Sequence, residues 1–279
     1  MLTVKKNPDA LKEMSGKTQE KDQEMNFWGH LEALRWTLVH IAIAFAILVV
    51  ASFAAMPYLF DSFVLAPTTS DFFLYKALSG LSVHFPFLPD FGNEYFRVEI
   101  ININVASQFT THISTSCYLA LVILFPYAIY EIWKFIKPAL YSNEIRNMRL
   151  AFILGTVMFF LGCTVGYTVV FPFTFRFQAE YSISESIVNQ ISLNSYISNF
   201  TLMIFVMGVV FELPLLAWLL SKMGLVNKPL LKKYRRYAVV ILLVLSAIIT
   251  PSGDPFTLAV VFLPLYLLYE FSILLVRKG

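Results

Sequence analysis

Apolar runs of the length needed to cross a lipid bilayer recur along this chain and set the limits on what it can fold into. A helix needs about 20 predominantly apolar residues to span a hydrocarbon core of roughly 30 Å. Six candidate stretches are found, at residues 36–60, 109–136, 150–175, 196–220, 237–250 and 256–276. Backbone polar groups in lipid have no water to bind, so each stretch is predicted to be an α-helix. The expected fold is an all-α membrane protein with six transmembrane helices, residues 27–279 forming the membrane domain and residues 1–26 a polar, flexible cytoplasmic tail. The fifth stretch is short, because 14 residues rise only about 21 Å. Either that helix starts further back, near Leu230, or the bilayer thins around it.

Composition supports the membrane class. Charged residues make up 14% of the chain and hydrophobic ones 58%, whereas a soluble domain carries about a quarter charged residues. A net charge of +3 gives no reason to expect nucleic acid as a partner. Cys117 and Cys163 lie in separate apolar runs without CxxC or zinc spacing, so neither a metal nor a cofactor is expected. Residues 1–26 lack the apolar core of a cleavable signal, and the first run is read as an uncleaved anchor.

The basic residues orient the helices. Of the 21 Lys and Arg residues, Lys76, Arg97 and Arg176 fall in one set of alternating loops and the remaining eighteen in the other. The positive-inside rule then places both termini in the cytoplasm of a multi-pass inner-membrane protein. The long segment from Asp61 to Asn104 and the segment from Gln178 to Ser195 are external. The stretch Tyr95–Ile103 has strand or surface-helix character, and residues 251–255, with Asp254, form a tight turn.

Ionisable groups inside apolar runs are costly and mark candidate sites. Glu212 lies in mid-run, followed by Pro214, which withholds an N–H from the Val210 carbonyl and is expected to kink the helix. It reads either as a polar point facing a groove or as a neutral side chain bonded to a neighbouring helix. Glu131, one turn from Lys134, reads as an interfacial pair, and Glu270 is placed to snorkel or pair. His40 and His112 read as packing or interfacial residues. Glu32 and Glu144 flank the cytoplasmic ends of the first three helices. A carboxylate binds a guanidinium in a bidentate, charge-assisted pair, so two of them on one face suit adjacent arginines; the alternative is ordinary solvated charge.

Four ordered motifs carry a family resemblance. His30-Leu31-Glu32-Ala33-Leu34-Arg35 resembles the HLxELR motif of the C subunit of the twin-arginine protein translocase (the TatC family). Pro126, Tyr130-Glu131-Ile132-Trp133-Lys134-Phe135-Ile136-Lys137-Pro138-Ala139-Leu140-Tyr141 and Glu144 resemble its longest motif. Phe211-Glu212-Leu213-Pro214 resembles its intramembrane element. Thr250-Pro251, Asp254-Pro255-Phe256, Pro264 and Tyr269-Glu270 resemble its last hairpin. The resemblance implies a concave, glove-like wall of six helices, the last two short. It implies binding of twin-arginine signal peptides at Glu144, Phe135 and Arg35, with Glu32 nearby, and an intramembrane polar site at Glu212, with Glu131. Pro67, Pro126, Pro138 and Pro214 would shape the helices, and Asp254 the hairpin or a partner contact. Implied partners are folded precursors carrying the signal, the single-span subunits TatA and, in some systems, TatB, further copies of the chain, and lipid, with export driven by the proton-motive force. The sequence departs from the pattern at Ala33, where the motif has glutamate, at Glu131 in place of glutamine, at Leu258, and in an extra residue at Ser252-Gly253.

Two other classes compete. A proton-coupled small-molecule transporter would use Glu212 and Glu131 as a relay, but the chain shows no internal repeat. An intramembrane hydrolase needs a Ser-His, paired-Asp or HExxH arrangement, which the runs do not contain.

Overall fold

A computed structural model describes residues 27–82, 96–136, 142–184, 186, 189–250 and 253–276. The helices are α1 (Phe27–Leu59), α2 (Phe73–Ser82), α3 (Ser107–Ile136), α4 (Ser142–Val165), α5 (Phe171–Glu180), α6 (Leu193–Val210), α7 (Leu213–Lys222), α8 (Lys228–Ile249) and α9 (Pro255–Leu275). Wide π-type turns follow α1 at Phe60–Val64 and join α4 to α5 at Gly166–Val170. The only paired strands among the described residues are β1 (Ile100–Ile101) and β2 (Ile191–Ser192), parallel, with Ile100 opposite Ile191. The expected tail at residues 1–26 and Pro138 lie outside the described residues.

Five segments are long and apolar enough to cross a membrane: Gly29–Thr68, Ser107–Phe135, Leu150–Glu180, Leu193–Lys222 and Pro255–Leu275. Their outward residues are apolar, with Ile47, Val50 and Leu274 at 64%, 71% and 70% exposure. Such a surface suits lipid rather than water. The chain is a multi-pass membrane protein.

Several predicted boundaries are corrected. α1 starts at Phe27 rather than Trp36 because its first turns are polar enough to escape a search for apolar runs. The third run extends back to Ser142 and, through its π turn, on to Glu180. The fourth run is two helices. Pro214 has no N–H for the Val210 carbonyl, α6 closes with the Glu212 N–H on Val209 O at 3.1 Å, and α7 resumes at Leu213. The fifth run takes the first of its two readings, a helix that starts further back than the apolar stretch. α8 begins at Lys228, where Asn227 Oδ1 accepts the Leu230 N–H at 2.9 Å and Pro229 follows. Its 22 residues rise about 33 Å, enough to cross, but the Lys and Arg residues of its first half keep it from being apolar throughout.

Packing follows the small residues. α1 lies along α3, α4 along α6, and α9 against α7 and α8. A Cβ on Gly162 of α4 would fall 2.5 Å from Met207 O of α6, and one on Gly208 would fall 2.6 Å from Cys163 Sγ. Only glycine lets these two backbones come this close.

The segment from Phe60 onward covers one end of the helices, here termed the capped end. Thr69 and Arg97 form an antiparallel bridge, and three tyrosines hold carbonyls of the turn after α1. Tyr167 donates to Phe63 O at 3.1 Å, Tyr196 to Val64 O at 2.6 Å and Tyr75 to Pro67 O at 2.9 Å. Burial pushes the Tyr75 phenol far above its usual range, so it stays a donor. Pro67, the predicted shaping proline, is buried in a 3₁₀ turn (Ala66–Thr68). Pro126 lies inside α3, which continues through it.

Asp254, singled out for the hairpin, is the N-cap of α9. Its Oδ1 accepts the Thr257 N–H at 2.8 Å and its Oδ2 accepts the Thr257 hydroxyl at 2.6 Å. Asp254→Ala is expected to cost about 1 kcal/mol, read as a lower melting temperature of the purified chain, with Asp254→Asn, an equally good cap, avoiding most of that loss.

Candidate functional site

The other end of the molecule, the basic end, gathers the sequence-predicted receptor residues. There the first turns of α1 meet the last turn of α3. The His30 ring stacks on Phe135, with centroids 4.3 Å apart and planes 26° apart. Two motifs separated by a hundred residues are thereby in direct contact. Glu32 and Arg35 are exposed on the same turns of α1. Beside them Leu31, Leu34 and Leu38 are exposed as well and, with Arg35, line a shallow apolar groove. The Arg35 guanidinium thus borders an apolar surface on this face of α1.

Glu131 is buried and its carboxylate lies 3.7 Å from Lys134 Nζ, which is the interfacial pair expected from their spacing. The backbone of Glu144 lies in the first turn of α4, and its side chain lies outside the description. On α8 and α9, Arg235 donates to Glu270 at 2.6 Å and the Tyr269 hydroxyl to Leu231 O at 2.8 Å. Glu270 therefore pairs across a helix interface.

Glu212 occupies the break between α6 and α7, half-buried. A Cβ on Gly155 of α4 would lie 3.2 and 3.5 Å from its carboxylate oxygens, so the carboxylate rests over a glycine, which leaves it room. Its Oε1 is buried without a hydrogen-bond partner among the described residues. A buried polar atom with no donor is costly. Glu131 and Glu212 serve different neighbours, one Lys134 and the other α4, which weakens a relay between them.

Toward the capped end, α1, α3, α4 and α6 enclose an apolar cavity of about 380 Å³, lined among others by Met56, Phe63, Tyr118, Phe160, Tyr167 and Phe205. Four of its hydroxyls are turned to backbone carbonyls: Thr115 to Thr111 O, Thr164 to Phe160 O, Thr201 to Ile197 O and Tyr167 to Phe63 O. With those polar atoms engaged, the wall accepts apolar groups.

Arg176 was counted by the sequence as an external charge. It is fully buried. Its guanidinium lies over the rings of Tyr75 (4.7 Å) and Phe96 (4.3 Å), and Nε pairs with Glu180 at 2.9 Å. Nothing local in the sequence marks it, because both rings come from a segment about a hundred residues earlier. His112 was read as a packing residue and is also a hydrogen-bond donor to α1; Pro57 inside the first run was the signal that a donor was needed.

The fold and these sites together define a multi-pass membrane protein with a half-buried carboxylate at a helix break and an apolar cavity among its helices. The family described as Sec-independent protein translocase protein (TatC) matches residues 29–264. The chain belongs to the TatC family. Among relatives, a Sec-independent protein translocase protein TatC of Blattabacterium sp. subsp. Periplaneta americana is 36% identical over 258 residues, 91% of this chain and 96% of that protein. The Deinococcus radiodurans TatC is 35% identical over 182 residues, 65% of this chain and 67% of that protein. Two crystal structures of the twin arginine translocase receptor TatC, one of them in DDM, are similar. They have TM-scores of 0.67 and 0.68 at 29% and 28% identity and cover 88% and 89% of this chain and 97% and 99% of theirs.

Proposed function

We propose that this chain is the receptor subunit of a twin-arginine translocase, binding the signal peptides of folded precursors at its basic end and organising single-span partner subunits for export driven by the proton-motive force. The observation that carries the reading is the His30–Phe135 stack, which unites the two motif segments beside Glu32 and Arg35. Twin arginines pair with carboxylates of Glu144, on α4, and Glu32, on α1. The apolar part of the signal follows the leucine face of α1 and enters the bilayer. Glu212 meets a polar side chain of a single-span partner, supported by its unpartnered Oε1.

In this reading the basic end faces the cytoplasm, where positive charge accumulates, and the capped end faces outward. α8 supplies the sixth crossing, so both termini are cytoplasmic. Its arginines and lysines lie at the headgroup level.

The test is site-specific crosslinking of a twin-arginine signal peptide to the full chain in membranes. Glu144→Ala is expected to lower capture about tenfold or more, the loss of one charge-assisted pair. Lysine substitution of both signal arginines is expected to do the same, because an ammonium lacks the planar fork. Undiminished capture by a folded Glu144→Ala chain would overturn the assignment.

A further inference from the structure

Pro57 lies inside α1 and has no N–H, so the Phe53 carbonyl four residues earlier has no helical donor. Helix α1 nevertheless continues to Leu59. In lipid no water is available for that carbonyl. His112 of α3 takes it, with Nε2 2.9 Å from Phe53 O. The same imidazole lies flat on the Phe53 ring, with centroids 3.8 Å and planes 6° apart.

Ten residues on, the arrangement recurs. Phe63 precedes Pro67 by the same four residues. The Phe63 carbonyl accepts the Tyr167 hydroxyl at 3.1 Å, and the Tyr167 ring stacks on Phe63 at 4.2 Å and 10°. In both cases a phenylalanine presents its ring and its carbonyl together, a proline follows four residues later, and one aromatic donor from another helix satisfies both.

We infer that Phe53–Pro57 and Phe63–Pro67 are two copies of one F-x3-P docking device, and that His112 and Tyr167 are the positioning residues that seat the first span against the α3 and α4 segments. The two copies bracket Met56 and Leu59, which line the apolar cavity together with Phe63 and Tyr167. They therefore set the width of the cavity on the α1 side. A histidine suits the first copy because Nε2–H donates in one neutral tautomer and in the imidazolium alike.

A double-mutant cycle on the full chain, purified in detergent, tests the device. His112→Leu is expected to reduce the folded-to-unfolded ratio about tenfold, the cost of a stranded carbonyl. Pro57→Ala restores a backbone N–H to Phe53 O, so P57A/H112L is expected to recover most of that loss. His112→Gln, which keeps an N–H donor, is expected to retain part of it. In ¹⁵N-histidine spectra Nε2 is expected as a hydrogen-bonded N–H in the unmodified chain and as a freed one in P57A. If H112L does not accumulate, recovery of folded yield in P57A/H112L supports the device. A harmless H112L, or an equal penalty with and without Pro57, overturns it.

Discussion

Gly162→Ala is expected to lower the stability of the chain by about 3 kcal/mol or more. In an ordinary helix this change is favourable by up to about 1 kcal/mol, so a large loss would reverse the usual sign. The reason is the neighbour. The new methyl would lie 2.5 Å from Met207 O and 2.8 Å from the Phe211 Cβ and Cγ. A backbone carbonyl oxygen in the last turn of α6, held by the Phe211 N–H, cannot swing away as a side-chain tip can. The two helices must part, and the contacts at Gly166 and Gly208 part with them. Overpacking of this kind costs about 1–3 kcal/mol and occasionally more, against a total stability of about 5–15 kcal/mol. The upper end applies because the clash is with backbone. Separation would also lift the α6–α7 break, and Glu212 with it, off Gly155. Gly29 supplies the control. A Cβ there meets nothing within 4 Å, so Gly29→Ala is expected to be neutral or to stabilise by about 0.5 kcal/mol. Thermal unfolding and membrane accumulation of the two variants, measured side by side, check both signs. Equal behaviour would mean that α4 and α6 are not in close contact at Gly162.

How much of this was legible in the sequence depends on which interactions are local. Apolar runs mark where α1, α3, α4, α6 and α9 cross, because lipid imposes length and hydrophobicity on every crossing independently of the rest of the fold. The four motifs point to the TatC family, and the match over residues 29–264 agrees with them. The Glu131–Lys134 pair is one helical turn and needs no tertiary knowledge. The start of α8 was written in the chain as well, in Asn227 followed by Pro229, but a search for apolar runs passes over a helix whose first turns are basic. What escaped is what two distant segments make together. Arg176 reads as a loop charge until Tyr75 and Phe96 are brought over it. His112 reads as a packing residue until Pro57 is seen to strand the carbonyl it serves. Helix α2 also escaped, since a surface helix of ten residues leaves no lipid-length signal.

Arg176→Ala is the change expected to detach the segment that follows α1. The side chain is wholly buried, is steadied within α5 by its i,i+4 pair with Glu180, and ties that helix to the rings of Tyr75 and Phe96 from the segment after α1. Desolvated cation–π contacts contribute about 2 kcal/mol, and emptying a large buried site adds a cavity cost. Together these give a loss of about 3–5 kcal/mol. The ion pair contributes the smaller share, because the Glu180 side chain is 27% exposed and water takes over part of its solvation. The variants therefore rank by shape before charge. Arg176→Met keeps much of the volume and should lose about half as much as alanine. Arg176→Lys keeps the charge but not the plane that lies on two rings, and should do no better than methionine. Tyr75 and Phe96 hold the segment that carries Pro67 and the Thr69–Arg97 bridge, so the loss falls first on local opening of that segment rather than on the spans. Limited proteolysis from the capped side is expected to nick residues 61–104 in Arg176→Ala while the helices stay protected. A methionine variant more stable than the original would mean that the guanidinium costs more in desolvation than its rings and carboxylate return, and that Arg176 does not hold the cap in place.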